Sequence, residues 1–215
     1  MIYKACLFDL DGVLVDTAIY HFQAWKNLGK QFGYELTEEQ NEELKGVSRV
    51  ESLNKILAWA GYTATQEEKA AWLIEKNEDY LRLISNMNPG EILPGVLEFL
   101  EQIKALGYKI ALGSASKNAE IILEKTKLIS WFDLIIDGNK VSKSKPDPEV
   151  FLKGAEGLGL APESCIVFED AQAGVEAAKA GQMKAIGIGE ASTLFLADKI
   201  IPNFIGVNAA ELLQF

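Results

Sequence analysis

Five short apolar runs recur along the chain, none long enough for a helix: Tyr3-Lys4-Ala5-Cys6-Leu7-Phe8, Lys109-Ile110-Ala111-Leu112-Gly113, Leu134-Ile135-Ile136, Cys165-Ile166-Val167-Phe168 and Ala185-Ile186-Gly187-Ile188. Continuous apolar runs of this length read as strands buried on both faces. Between them, apolar residues return at helical spacing. Val96, Phe99, Leu100, Ile103 and Leu106 mark one helix, Ile121, Ile122 and Leu128 a second, and Val150, Phe151, Ala155 and Leu158 a third. This alternation predicts an α/β fold, a parallel sheet with helices on both faces and right-handed crossovers.

Residues 17–92 break the rhythm. They hold no convincing strand. Val50, Leu53, Ile56, Leu57 and Ala60 fit a helical stripe, and Ala71, Ile74 and the stretch from Glu75 to Leu81 fit a looser one. The expected organisation is an α/β core of residues 1–16 and 93–215 with a helical domain, 17–92, inserted. Asp16-Thr17, Asn88-Pro89-Gly90 and Pro94-Gly95 have the composition of hinges. An insertion this short reads as a lid over the active edge of the sheet.

Composition removes several classes of function. The chain has 215 residues, 48% hydrophobic and 24% charged, which is enough apolar surface for a packed core. Its net charge of −10, with acids in excess in both parts, argues against a nucleic-acid partner. No run approaches the ~18 apolar residues of a membrane span, and the first residues lack a signal-peptide pattern. A soluble, cytoplasmic protein without a membrane partner is expected, and a monomer is assumed. Cys6 and Cys165 lie inside apolar runs and read as buried thiols of a reducing compartment, not as a disulfide framework. With His21 the sole histidine, a His-rich zinc site is excluded.

In an open parallel sheet, ligands collect beyond the carboxyl ends of the strands. Asp9 and Asp11 follow the first strand, and Ser114, Ala115, Ser116, Lys117 and Asn118 the second. Lys143 and Lys145-Pro146 come after the third, and Glu169 and Asp170 after the fourth. Acids, hydroxyls and a lysine converging on one edge suit phosphoryl transfer. A carboxylate can attack phosphorus and carry it as an acyl phosphate. Carboxylates crowded against phosphate need a cation, and Mg²⁺ takes oxygen ligands of the kind Asp9, Asp170 and the nearby Glu169 offer. Ser114, the Ala115 amide and Lys145 can hold phosphoryl oxygens. Asp11, two residues past Asp9, is placed for general acid–base work.

With these residues in view, the sequence resembles the haloacid-dehalogenase (HAD) superfamily. Phe8-Asp9-Leu10-Asp11-Gly12-Val13 resembles its first motif, Gly113-Ser114-Ala115-Ser116 its second, Lys145-Pro146-Asp147-Pro148 its third, and Glu169-Asp170-Ala171-Gln172-Ala173-Gly174 its fourth. Within the superfamily the chain is similar to the β-phosphoglucomutase family at three further places. Asp16-Thr17-Ala18-Ile19-Tyr20-His21-Phe22, on to Trp25, resembles the cap entry. Leu44-Lys45-Gly46-Val47-Ser48-Arg49 with Ser52-Leu53 resembles the substrate-reading loop and helix. Ser114 to Asn118 resembles the phosphate-gripping stretch. Val15 stands where threonine is common, and Ile19 where glutamate is.

The resemblance implies a Rossmann-like core with an α-helical cap. It also implies an isomerase, a phosphotransferase of carbohydrate metabolism. Such an enzyme interconverts β-D-glucose 1-phosphate and glucose 6-phosphate through an aspartyl phosphate, with Mg²⁺ and glucose 1,6-bisphosphate as primer. The implied roles are Asp9 as nucleophile and Asp11 as acid and base, with the Asp11 backbone carbonyl joining Asp9, Glu169 and Asp170 at the metal. Thr17, His21 and Lys76 couple Asp11 to cap closure. Arg49, Ser116, Lys117 and Asn118 grip the distal phosphate, and Trp25, Lys45, Gly46, Val47 and Ser52 complete the sugar side. It also implies a cis Lys145-Pro146 bond. Taken alone, Arg49 and Lys45 are ordinary helix-surface charges, His21 is as easily structural, and Trp25 reads as cap core. A sugar-phosphate phosphatase would use Asp9 equally. A non-catalytic phosphosugar-binding protein would be expected to have lost Asp9, Asp11 or Asp170.

Overall fold

A computed structural model describes residues 3–44 and 47–215. β1 (Ala5–Phe8), β2 (Lys109–Gly113), β3 (Leu134–Ile136), β4 (Cys165–Glu169), β5 (Lys184–Ile188) and β6 (Lys199–Ile201) form one sheet in the order β3-β2-β1-β4-β5-β6. Every pairing is parallel, and Phe8 stands level with Leu112 on one side and Phe168 on the other. β6 went unread in the sequence: it is three residues long and only half-buried, so no apolar run announces it.

Alternation sorts the strand side chains onto two faces. Cys6, Phe8, Ile110, Leu112, Ile166 and Phe168 join Val96, Phe99 and Ile103 of α5 (Val96–Ala105) and Ile122 and Leu123 of α6 (Ala119–Lys125). α9 (Ala209–Leu212) closes this side. Ala5, Leu7, Ala111, Cys165, Val167 and Ala185 face α7 (Glu149–Gly157) and α8 (Gln172–Ala180). The first face holds an aromatic stack, with Phe8 and Phe168 ring centres 4.5 Å apart and the rings nearly parallel, and Phe99 edge-on to both. Truncating such a ring to alanine costs about 3–5 kcal/mol. Ile121, expected on the buried stripe, is exposed, and Leu106, Leu128 and Leu158 lie just past their helices. Both cysteines are buried free thiols.

The described residues between β1 and α5 form helices and no strand: α1 (Ala18–Gly29), α2 (Glu38–Glu42), α3 (Arg49–Ala60) and α4 (Gln66–Leu83). Their starts are written locally. Thr37 and Thr65 form capping boxes with Gln40 and Glu68, and Ser48 caps α3 by accepting from the Glu51 N–H. α3 stops at Gly61, whose φ of 63° suits glycine. Trp25, Leu28, Leu36, Leu44, Leu53, Ile56 and Leu57 make a separate apolar cluster. Val50, Ala71 and Ile74, expected on buried stripes, are exposed. The buried face of α4 instead carries Lys76 and Tyr80.

The chain enters and leaves this helical layer side by side. Val15 bridges Ile92 in antiparallel fashion, the Leu93 N–H donates to the Leu14 carbonyl at 3.0 Å, and the Asp16 N–H donates to that of Glu91 at 3.4 Å. No helix among the described residues is long and apolar enough to cross a membrane.

Candidate active site

The β1–β4 ladder runs one residue past β1, since the Asp9 N–H donates to the Phe168 carbonyl at 3.0 Å. That pairing delivers Asp9 beside Glu169 and Asp170, and carboxylate oxygens of the three lie within 4.8 Å of one another. Two glycines make room for the acids. A Cβ on Gly12, which has φ +77°, would sit 2.1 Å from Asp170 Oδ2, and one on Gly174 would sit 1.9 Å from Glu169 Oε1. Alanine at either position would displace a carboxylate of the cluster. Hard oxygen donors in such a cradle suit Mg²⁺.

Lys145, which precedes a cis Lys145-Pro146 bond, reaches into the cluster. Its Nζ donates to Asp9 Oδ1 at 2.6 Å and also to Glu169 Oε1. Burial works against its ammonium, but the charges of Asp9 and Glu169 outweigh burial and hold it above the ordinary lysine range. Burial also pushes Glu169 up to about 7, with Asp9 adding to the effect and Lys145 opposing it. The other Glu169 oxygen accepts from the Ala171 N–H at 2.9 Å.

Asp11 is pushed up to about 7, first by burial and then by Asp9, against the pull of the Thr17 hydroxyl, Lys145 and Lys76. Thr17 donates to the Asp11 carboxylate from the start of α1. The β2 edge is extended like that of β1: the Ser114 N–H donates to the Ile136 carbonyl at 3.0 Å. Ser116 N–H then donates to Ser114 Oγ at 3.1 Å and Asn118 N–H to Ser116 Oγ at 3.3 Å, which curls the loop over the strand end.

The helical layer brings a second set of polar groups. Lys76 Nζ, buried, donates to His21 Nδ1 at 2.8 Å and lies 4.7 Å from the centres of both the Trp25 and Tyr80 rings. Burial and then Arg49 push Lys76 down to about 7, against Asp11 and Asp79. Burial, then Lys76 and Arg49, hold His21 well below the usual histidine value. The imidazole is therefore neutral, stacked 4.1 Å from the Tyr80 ring, and free to accept from Lys76.

Both sets face one cavity of about 540 Å³. Asp9, Asp11, Ser114, Ala115, Ser116, Lys117 and Lys145 line it from the sheet, and His21, Trp25, Val47, Arg49, Ser52 and Lys76 from the helices. Thr17, Asn118, Glu169 and Asp170 are not on its wall. Thr17 and Glu169 act from behind on Asp11 and Lys145, and Asn118 stands behind Ser116. Lys45 and Gly46 lie outside the described residues. Trp25 belongs both to the wall and to the apolar cluster of the helices.

Lys143, placed by the sequence after the third strand, lines the wall too, whereas sequence reasoning missed Glu51, Ser142 and Ser144 on the wall, and Asn77 behind it. Ser144 Oγ donates to Glu51 at 3.0 Å, from the sheet side to α3. Glu149, held at about 2 by Lys153 and Ser142, accepts from the Ser142 and Lys143 N–H groups at 2.9 and 2.7 Å and anchors the loop that leads to Lys145. The signal available was Lys-Pro-x-Pro followed at once by an acid, which suits the first turn of a helix.

The family model for haloacid dehalogenase-like hydrolases matches residues 6–188. A β-phosphoglucomutase of Bacillus subtilis (strain 168) is 42% identical over 92% of this chain and 88% of its own length. The crystal structure of a β-phosphoglucomutase from Clostridium difficile superposes with a TM-score of 0.94 at 39% identity, covering 98% of this chain and 95% of the other. A phosphorylated carbohydrates phosphatase of Thermotoga maritima is 32% identical over 85% of this chain and 83% of its own.

Proposed function

The chain belongs to the haloacid dehalogenase-like hydrolase family, and from that premise we propose that it interconverts β-D-glucose 1-phosphate and glucose 6-phosphate, the reaction of a β-phosphoglucomutase. The observation that carries the reading is the 42% identity to such an enzyme across 92% of the chain. It works as a cytoplasmic monomer on small sugar phosphates, with residues 17–92 as a cap and glucose 1,6-bisphosphate as primer.

A carboxylate oxygen of Asp9 attacks phosphorus, the ester oxygen departs, and the Asp11 proton goes to that oxygen. In the second half the other sugar hydroxyl attacks phospho-Asp9, its proton passes to Asp11, and the Asp9 carboxylate leaves. A group that titrates at about 7 is suited to both duties near neutrality. Ser114, the Ala115 amide and Lys145 hold the phosphoryl oxygens. Asp9, Asp170 and Glu169, with the Asp11 carbonyl that the resemblance adds, would hold Mg²⁺, which would supply neutralising charge where carboxylate meets phosphate.

The distal phosphate lies between Arg49 on the cap and Ser116 and Lys117 on the sheet, with a guanidinium giving a forked grip. Val47 and Ser52 complete the sugar's enclosure, and the family resemblance adds Lys45 and Gly46 to sugar recognition. Once β-glucose 1-phosphate has taken the phosphoryl group from phospho-Asp9, the bisphosphate so formed turns end for end, which an openable cap permits, and Asp9 then attacks its other phosphorus. Thr17, His21 and Lys76 set Asp11 as the cap closes, so water meets phospho-Asp9 without an aligned base.

The phosphatase reading is favoured by the Thermotoga relative, and product identity separates the two. A coupled glucose-6-phosphate dehydrogenase assay on β-glucose 1-phosphate, with and without bisphosphate and with the α anomer as control, is expected to show primer-dependent, β-specific glucose 6-phosphate formation. Continuous release of inorganic phosphate without isomerised sugar would establish the phosphatase instead.

A further inference from the structure

Asn118 stands immediately before α6, where an asparagine ordinarily caps the helix with its own side chain. It makes no such bond. Its Nδ2 donates instead to Oδ1 of Asn77, 2.9 Å away on α4. Asn118 is buried and Asn77 half-buried, so water competes poorly for the pair. Besides the Thr17–Asp11 bond at the start of α1, Ser144 donates to Glu51 at 3.0 Å and Lys125 to the Ser85 carbonyl at 2.6 Å between the sheet side and the helices, and both of these are exposed.

What the amide pair connects matters more than its burial. From Ser114 a continuous relay runs through Ser116 and Asn118 into Asn77. Asn77 directly follows Lys76, whose Nζ faces His21. The loop that grips phosphate and the helix that carries Lys76 are thereby fixed relative to one another across the cavity. We propose that Asn77 is a positioning residue: acting through Asn118, it clasps the cap helix to the phosphate loop, so that phosphorylated Asp9 is presented to sugar in preference to water. This rests on the phosphoryl-transfer reading above.

The test is a double-mutant cycle on the whole enzyme with Mg²⁺, using Asn77→Ala, Asn118→Ala and both. Two quantities are measured: kcat/KM for primed conversion of β-glucose 1-phosphate, and phosphate release from enzyme phosphorylated by acetyl phosphate without sugar. Asn77→Ala should lower kcat/KM about 3–10-fold, the worth of one hydrogen bond. It should leave sugar-free hydrolysis within about twofold. The double variant should fall no further than Asn118→Ala alone. Alanine is a better helix former than asparagine, so α4 itself is not weakened, and an unchanged thermal midpoint checks folding. Lys125→Ala, which cuts an exposed link, should change neither rate by more than about twofold. Additive losses in the double variant, or equal losses in transfer and in hydrolysis, would overturn the clasp. Wild-type enzyme that forms no glucose 6-phosphate would instead defeat the mutase reading. The same cycle on the sugar-phosphate hydrolysis then observed still decides for or against the clasp by additivity.

Discussion

The sheet and the helical layer build their halves of the cavity by different means. On the sheet, Asp9, Ser114 and Glu169 sit at or just past strand ends, and main-chain pairing carries each there: Asp9 through Phe168, Ser114 through Ile136, Glu169 level with Gly187. Backbone topology does the placing, and the side chains supply the chemistry. On the helices no such rail exists. Lys76, His21 and Arg49 reach the cavity by replacing apolar residues on inward faces, and their charges are tuned by burial and by one another. Electrostatics should therefore be severe on the sheet side, where the proposed nucleophile Asp9 sits, and graded on the helical side, to which the proposed mechanism gives substrate choice.

The widest separation of the two sides comes from the nucleophile. Asp9→Asn should eliminate phosphoenzyme, read as loss of label from acetyl phosphate with Mg²⁺ present; persistent label would move the chemistry elsewhere. Asp11→Ala is next. It should lower turnover by roughly 10²–10⁴-fold, the usual contribution of positioned acid–base help, while Mg²⁺ binding stays intact. On the helical side, Arg49→Ala should cost about 10–100-fold in sugar isomerisation, as expected for a charge-assisted bond, with little change in hydrolysis of a small phosphate ester. Equal losses in both assays would erase the distinction between making and choosing.

A gentler measure uses pH. Folding raises the Glu169 carboxyl from 4.5 to about 7, so the metal-free folded state holds that proton more tightly than the unfolded chain. Metal-free protein should lose stability as pH climbs between those values and level off above them. Mg²⁺ affinity should weaken about tenfold per unit of falling pH below that upper value, because binding must displace the proton. Calorimetric titration across this range would show whether one proton is released per ion.

The same contrast explains what could be read without coordinates. Strands such as Cys165–Glu169 are buried on both faces, so an unbroken apolar run reveals them, and the acids at their ends stand out as chemistry. β6 is short and half-buried and left no run. Helical faces misled in a consistent way. Val50, Ala71 and Ile74 looked like a core stripe yet are exposed, while Lys76 is buried. An apolar-periodicity argument assumes that buried means apolar, and that fails where a helix faces a polar cavity. His21, Arg49 and Lys76 were therefore legible only through family resemblance. Asn77, Glu51 and Ser144 gave no signal because their bonds span 41 and 93 residues of sequence.

The paired crossings at Val15 and Ile92 carry a last consequence. Two chains laced edge to edge bend readily across their flat face and resist shear and torsion. If residues 17–92 act as the proposed cap, that pairing would confine their swing to a single plane, like a page on its spine. On the proposed mechanism Arg49 and Lys117, on opposite walls of the cavity, would part and close along that one arc, so a released bisphosphate would find the same two groups whichever end it offers first.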